Sequence, residues 1–143
     1  MIYLDASYIV KCYLREAGSA EVLRLVQRSA GRSSALHGQA EFYSAVHRRL
    51  RENHLSAAEA AAVWQQFEND ERSSLWHWLA TTESVARRAC NAFEKLDASV
   101  CVRASDALHL ACAAENQFSE VYSGDRILLQ AARHFGLKGI SVY

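Results

Sequence analysis

Short apolar runs alternate along this chain with longer stretches in which apolar side chains recur every three or four residues, the pattern of buried strands separated by amphipathic helices. Residues 1–4 form the first run, closed by Asp5, and read as a buried parallel strand with an acid at its C-terminal end. Tyr8, Ile9, Cys12 and Tyr13 then follow at helical spacing, with Ser7 at the opening of the helix, until Gly18 interrupts them. Val22, Leu23 and Val26 mark a second helix over 19–27, and a short strand is expected at 33–36 after the turn at Gly31. From Gln39, Phe42, Val46 and Leu50 repeat at intervals of four, which places Glu41 near the first turn of another helix.

The second half continues the alternation. Ser56-Ala57-Ala58-Glu59 has the form of a capping box and opens an Ala-rich helix that reaches about Asn69. Residues 75–79 combine short length with aromatic enrichment and predict a strand; Thr81-Thr82-Glu83-Ser84 begins a helix reaching about Leu96. Ser105 is expected to cap the next helix, with Asp106 at its first position and Leu108, Ala111 and Cys112 on its buried face. A strand at 121–123 runs directly into Gly124-Asp125, then a helix over 126–135 and a last strand at 139–142. Strands alternating with helices of crossover length predict an α/β fold, a three-layer α/β/α sandwich around a central, mainly parallel sheet of about five strands. Residues 1–143 are expected to form a single domain.

Composition removes several function classes. Half of the residues are hydrophobic and 22% charged, an ordinary globular balance. No apolar run approaches the roughly 20 residues that cross a bilayer. The first residues also lack the basic and long apolar segments of a secretory signal, so a cytoplasmic protein without a membrane partner is expected. Cys12, Cys90, Cys101 and Cys112 form no C-x-x-C pair and lie in apolar, helix-like surroundings, which predicts reduced core thiols rather than disulfides or a zinc site. Net charge is zero, so no global field attracts a polyanion. Residues 1–51 nevertheless hold eight Lys/Arg against four Asp/Glu. Their basic peak, His47-Arg48-Arg49-Leu50-Arg51, reads as a solvated helix face or as a ridge that contacts phosphates.

The chemistry is carried by four acids: Asp5, Glu41, Asp106 and Asp125. Each borders or interrupts an apolar run that should be core, where unpaired acids are rare. Ligands of open parallel sheets bind beyond the carboxyl ends of the strands near the topological switch, so all four are expected at one edge. Their mutual repulsion there would need a divalent cation to offset it, which points to metal-assisted phosphodiester hydrolysis. Taken singly, Asp106 could favour a helix N-terminus, Asp125 a turn and Glu41 a solvated face. Ser7 reads equally as an N-cap or as a hydrogen-bond partner of Asp5. His109 is expected to be structural, and Trp76 and Trp78 to pack in the core or at an edge.

The strings Leu4-Asp5-Ala6-Ser7, Ser105-Asp106-Ala107-Leu108-His109-Leu110-Ala111 and Ser123-Gly124-Asp125, together with the Glu41 helix, resemble the PIN-domain ribonucleases. The resemblance covers essentially the whole chain and is strongest to the short VapC-type toxins of bacterial toxin–antitoxin pairs. It implies a PIN-like fold and an endoribonuclease that hydrolyses RNA with Mg²⁺, or Mn²⁺ as substitute. Asp5, Glu41, Asp106 and Asp125 would form the catalytic metal site, with Ser7 beside the first aspartate. Asp5 and Asp106 would be the most direct ligands, Asp125 a ligand directly or through water, and Glu41 a second-metal ligand or the group that orients the attacking water. The resemblance also implies a homodimer and a small antitoxin protein as partner. The alternative is a catalytically silent PIN-like module that binds RNA or protein, though such modules usually lose acids and all four stand here. A haloacid-dehalogenase-type phosphatase would need an acid where Ser7 stands, and no G-x-S-x-G elbow or Cys-centred motif supports a nucleophile mechanism.

Overall fold

A computed structural model describes residues 1–143. Five strands, β1 (Ile2–Tyr3), β2 (Arg32–Ala35), β3 (Trp76–Leu79), β4 (Glu120–Tyr122) and β5 (Lys138–Ile140), alternate with seven helices. The helices are α1 (Ala6–Tyr13), α2 (Ser19–Arg28), α3 (Gly38–Arg51), α4 (Ala57–Arg72), α5 (Glu83–Phe93), α6 (Ala104–Glu115) and α7 (Arg126–Ala131). All strand pairs are parallel, β1 with β2, β2 with β3 and β4 with β5. The expected central sheet is therefore present, but as a three-stranded and a two-stranded piece. They meet at one parallel bridge, Leu4 with Tyr122, where the Asp5 N–H donates to the Tyr122 carbonyl at 3.1 Å. The spatial order 3-2-1-4-5 reverses direction between β1 and β4, which makes their carboxyl ends the topological switch.

Strand alternation sends neighbouring side chains to opposite faces. Tyr3 and Leu4, both fully buried, accordingly enter two different cores. Tyr3 joins Leu79, Val85, Leu110 and Leu128 under α5, α6 and α7. Leu4 joins Ile9, Val22, Phe42 and Phe67 under α1 to α4. The result is the three-layer sandwich. Trp76 packs in the second core, stacked 5.3 Å from Trp78, with its indole N–H donating to the Tyr13 hydroxyl at 2.7 Å, so these tryptophans are structural.

Several boundaries depart from expectation for physical reasons. α1 is capped by Asp5, whose carboxylate accepts the Tyr8 N–H at 3.2 Å, so Ser7 lies inside the helix rather than capping it. α6 begins a residue before Ser105, with Arg103 at the N-cap, so Ser105 is not the cap and Asp106 is not the first helical residue. The last helix gives way after Ala131 to a 3-10 turn over Ala132–Phe135 that ends at Gly136, whose φ of 75° suits glycine. The cysteines divide: Cys112 is buried and Cys12 half-buried, but Cys90 and Cys101 are exposed, so only part of the core-thiol expectation holds. All four are free thiols.

Candidate active site

Four chain segments deliver the acids to the switch. β1 stops after two residues because the next turn is capped by the Asp5 side chain. That carboxylate is 4% exposed. Its Oδ1 accepts from the Ser7 hydroxyl at 2.7 Å, and its Oδ2 accepts from the Ser123 hydroxyl at 2.7 Å. Burial pushes the Asp5 carboxyl up, and the hydrogen bonds from Ser123 and Ser7 oppose this. The loop after β4 is fastened to the same place. The Gly124 N–H donates to Ser7 Oγ at 2.9 Å and the Asp125 N–H donates to Ser123 Oγ at 2.8 Å. Asp125 then caps α7, one oxygen accepting the N–H groups of Ile127 and Leu128 at 2.7 and 3.3 Å.

Glu41 comes from the first turn of α3. Gly38 lets that turn close on α6, since a Cβ there would lie 3.3 Å from His109 Cε1 and 3.1 Å from Ile9 Cδ1. Glu41 Oε2 is 2.6 Å from His109 Nε2, while Oε1 accepts the Ser105 hydroxyl. His109 is itself fixed, its Nδ1 lying 3.0 Å from the Tyr3 hydroxyl. Burial raises the Glu41 carboxyl, but His109 and Ser105 outweigh it and hold the group below its ordinary value. Asp106 shows the reverse balance. Burial raises it, and the nearby charges of Asp125 and Glu41 raise it further.

Asp5, Glu41, Asp106 and Asp125 all line one open cleft of about 350 Å³, together with Ser7, Arg48, Arg49 and Arg103. Glu41 alone among the four acids lies within ion-pair distance of a basic side chain, at His37 and His109. Asp5, Asp106 and Asp125 thus present charge that no lysine or arginine compensates. That charge distribution, with oxygen ligands only from the aspartates, fits a hard divalent cation. Of the basic ridge, Arg49 is engaged by Glu16, which also holds Lys11 at 2.6 Å. Arg48 and Arg103 have no carboxylate partner and extend the cleft past Ser44.

The family model of the PIN domain matches residues 2–134. The chain belongs to the PIN-domain family. No curated protein matches it by sequence. Solved structures that share its fold include VapC20 and VapBC2. The crystal structure of VapC20 from Mycobacterium tuberculosis, described as a Sarcin-Ricin loop cleaving toxin, is 16% identical with a TM-score of 0.71, covering 92% of this chain and 95% of that one. VapBC2 from Rickettsia felis, bound to a DNA fragment from its promoter, is 12% identical with a TM-score of 0.70, covering 99% and 98%.

The PIN domain also contains site neighbours that the sequence pattern does not place at the site: it predicts Ser105 as a helix cap and His109 as structural, and leaves His37 unassigned. Ser105 stands four residues before His109 on one face of α6, and the pair grips both oxygens of Glu41. His37 stands four residues before Glu41, at the entry to α3. Helical spacing of polar residues toward an acid was the available signal in both cases.

Proposed function

We propose that this PIN domain is an endoribonuclease that hydrolyses RNA phosphodiester bonds with the help of Mg²⁺, or Mn²⁺ in its place, and that it is the toxin of a toxin–antitoxin pair. The supporting observation is the convergence of Asp5, Asp106, Asp125 and Glu41 on one cleft at the sheet's switch point, three of them without a cationic partner. Asp5, Asp106 and Asp125 would hold the cation, with Glu41 beside it. A divalent cation there supplies Lewis acidity to the scissile phosphate and offsets charge on its non-bridging oxygens.

The protein's own groups have separable tasks. Ser7 and Ser123 hold the Asp5 carboxylate against rotation and tie it to the loop that carries Asp125. Glu41, kept ionised by His109 and Ser105, orients the attacking water, whose proton passes to solvent. Arg48 and Arg103 flank the acids and contact phosphates of the strand on either side of the cut. Cleavage of the P–O3′ bond leaves a 5′-phosphate and a 3′-hydroxyl.

The fold likeness to VapC20 and to VapBC2 supports the toxin assignment. A small antitoxin that covers the cleft and a homodimer are part of this proposal, as is a cytoplasmic location; no helix is long and apolar enough to cross a membrane. The test is cleavage of a mixed pool of structured RNAs with Mg²⁺, Mn²⁺ or EDTA, beside Asp106→Asn. Metal-dependent cuts absent from the variant are expected. A folded protein that cuts nothing in any metal, and binds none by calorimetry, would instead be a PIN-like module that binds RNA or protein without cutting.

A further inference from the structure

One group of side chains, which shares Glu41 with the carboxylate array, is arranged as a second kind of metal site. One ligand atom from each of His37, Glu41 and His109 lies within 4.8 Å of the other two. His109 Nε2 is 2.6 Å and His37 Nε2 is 3.9 Å from the same Glu41 oxygen. The two imidazole rings are neighbours, tilted by 50° with centroids 4.4 Å apart. Each is oriented through its other nitrogen by a hydroxyl, His109 Nδ1 by Tyr3 at 3.0 Å and His37 Nδ1 by Thr81 at 3.1 Å. Outer hydrogen bonds of this kind fix the ring of a metal-ligating histidine. His37 Nε2 is buried, makes no hydrogen bond of ordinary geometry and lies 3.9 Å from Glu41 Oε2. A buried polar nitrogen without a partner is unusual and asks for one.

We propose that His37, Glu41 and His109 bind a zinc-class transition ion. Two imidazole nitrogens and one carboxylate oxygen suit Zn²⁺, whereas Mg²⁺ favours an all-oxygen set such as the aspartates. Zinc bonds of about 2.0–2.1 Å in a tetrahedron put neighbouring ligand atoms about 3.3 Å apart. The present separations of 2.6 and 3.9 Å straddle that value. His109, 1% exposed, stays in place, and modest rotations of His37 and Glu41, whose side chains are 22% and 29% exposed, complete the triangle. Bonding through Nε2 would require the neutral His109 ring with its proton on Nδ1, where the Tyr3 hydroxyl can accept it. Water would complete the coordination. Because Glu41 belongs to both sets, zinc here withdraws it from the acids and inhibits cleavage. That consequence rests on the nuclease function proposed above; the site itself does not.

Zinc binding to the full chain is measured without RNA, by calorimetry with zinc chloride and by Co²⁺ absorption, for wild type, His37→Ala and Asp106→Asn. Thermal melts of each variant confirm that it is folded. One Zn²⁺ per chain is expected, weakened at least tenfold in His37→Ala and unchanged in Asp106→Asn, with Co²⁺ giving the visible bands of nitrogen-ligated tetrahedral geometry. Zinc should also raise the melting temperature of wild type and not that of His37→Ala. Equal affinity in folded His37→Ala, loss in Asp106→Asn, or no binding by wild type overturns the proposal. In cleavage assays with Mg²⁺, inhibition by micromolar zinc should disappear in His37→Ala, and inhibition that persists there refutes the shared role of Glu41. If the protein cuts no RNA, the binding result still stands or falls alone.

Discussion

Ser123→Ala should damage this fold more than its size suggests, and most severely at neutral pH. The Ser123 hydroxyl is fully buried, donates to Asp5 Oδ2 at 2.7 Å and accepts the Asp125 N–H at 2.8 Å. A hydrogen bond to a charged partner contributes about 1.5–3 kcal/mol and one between neutral groups about 1 kcal/mol. Loss of both predicts a destabilisation of roughly 2–4 kcal/mol, or a melting temperature lower by about 10 °C. Burial already raises the Asp5 carboxyl above its unfolded value, and Ser123 is the strongest influence opposing it. A carboxyl raised in the folded state favours folding when protonated, so its contribution weakens as pH rises through the folded value. The alanine variant raises Asp5 further. Its loss relative to wild type should therefore be greatest at pH 7 and shrink as pH falls through the folded Asp5 value. Urea unfolding in EDTA at pH 7 and pH 5 measures this directly, with Ser123→Thr as a control that keeps the hydroxyl. A loss under about 0.5 kcal/mol at pH 7, or one larger at pH 5 than at pH 7, would refute the reasoning.

Further predictions concern the acids and their neighbours. Asp106→Asn removes the repulsion from Asp125 and Glu41, so it should raise the melting temperature of the metal-free protein by a few degrees, abolish cleavage and remove the stabilisation that Mg²⁺ confers; differential scanning calorimetry with and without Mg²⁺ reads all but the cleavage. Tyr3→Phe deletes the hydroxyl that holds His109; it should lower stability by about 1 kcal/mol and reduce kcat several-fold with KM nearly unchanged, because Glu41 loses its orientation and not its substrate contacts. Arg48→Ala should weaken RNA binding, and reduce the slope of log affinity against log salt by about 0.7 for a single strand, without changing stability. Arg49→Ala should instead lower stability, because it strips a partner from Glu16.

The element order and the four acids were legible because both are local signals. Each acid directly follows an apolar strand or opens an amphipathic helix, so its place at the sheet edge follows from the periodicity around it. What the chain concealed is decided by pairs distant in sequence. Ser105 has the chemistry of an N-cap, but its hydroxyl is drawn to Glu41, 64 positions away, and the helix begins a residue earlier. The partnership of His109 with Glu41 spans 68 positions. Which arginine of the basic ridge is free depended on Glu16, 33 positions from Arg49. The break between the sheet's two pieces reflects a first strand of two residues, too short to show a register of its own. The exposure of Cys90 was not legible because a cysteine in an amphipathic helix carries no mark of which face it occupies, and that of Cys101 because it lies in the irregular segment between α5 and α6, where no periodicity reports burial.

The seam in the sheet gives the site a mechanical duty. With a single bridge between Leu4 and Tyr122 in the backbone, the side-chain bonds from Ser123 to Asp5 and from Gly124 to Ser7 act as rivets across the joint. Asp5, Ser7 and Ser123 are therefore poor choices for an inactive but intact protein, since their loss loosens the assembly as well as the chemistry. Asp106, whose side chain makes one long 3.4 Å hydrogen bond, from the Arg103 N–H, carries none of that tension, and its amide variant is the clean disarmed form for trapping RNA or a protein partner.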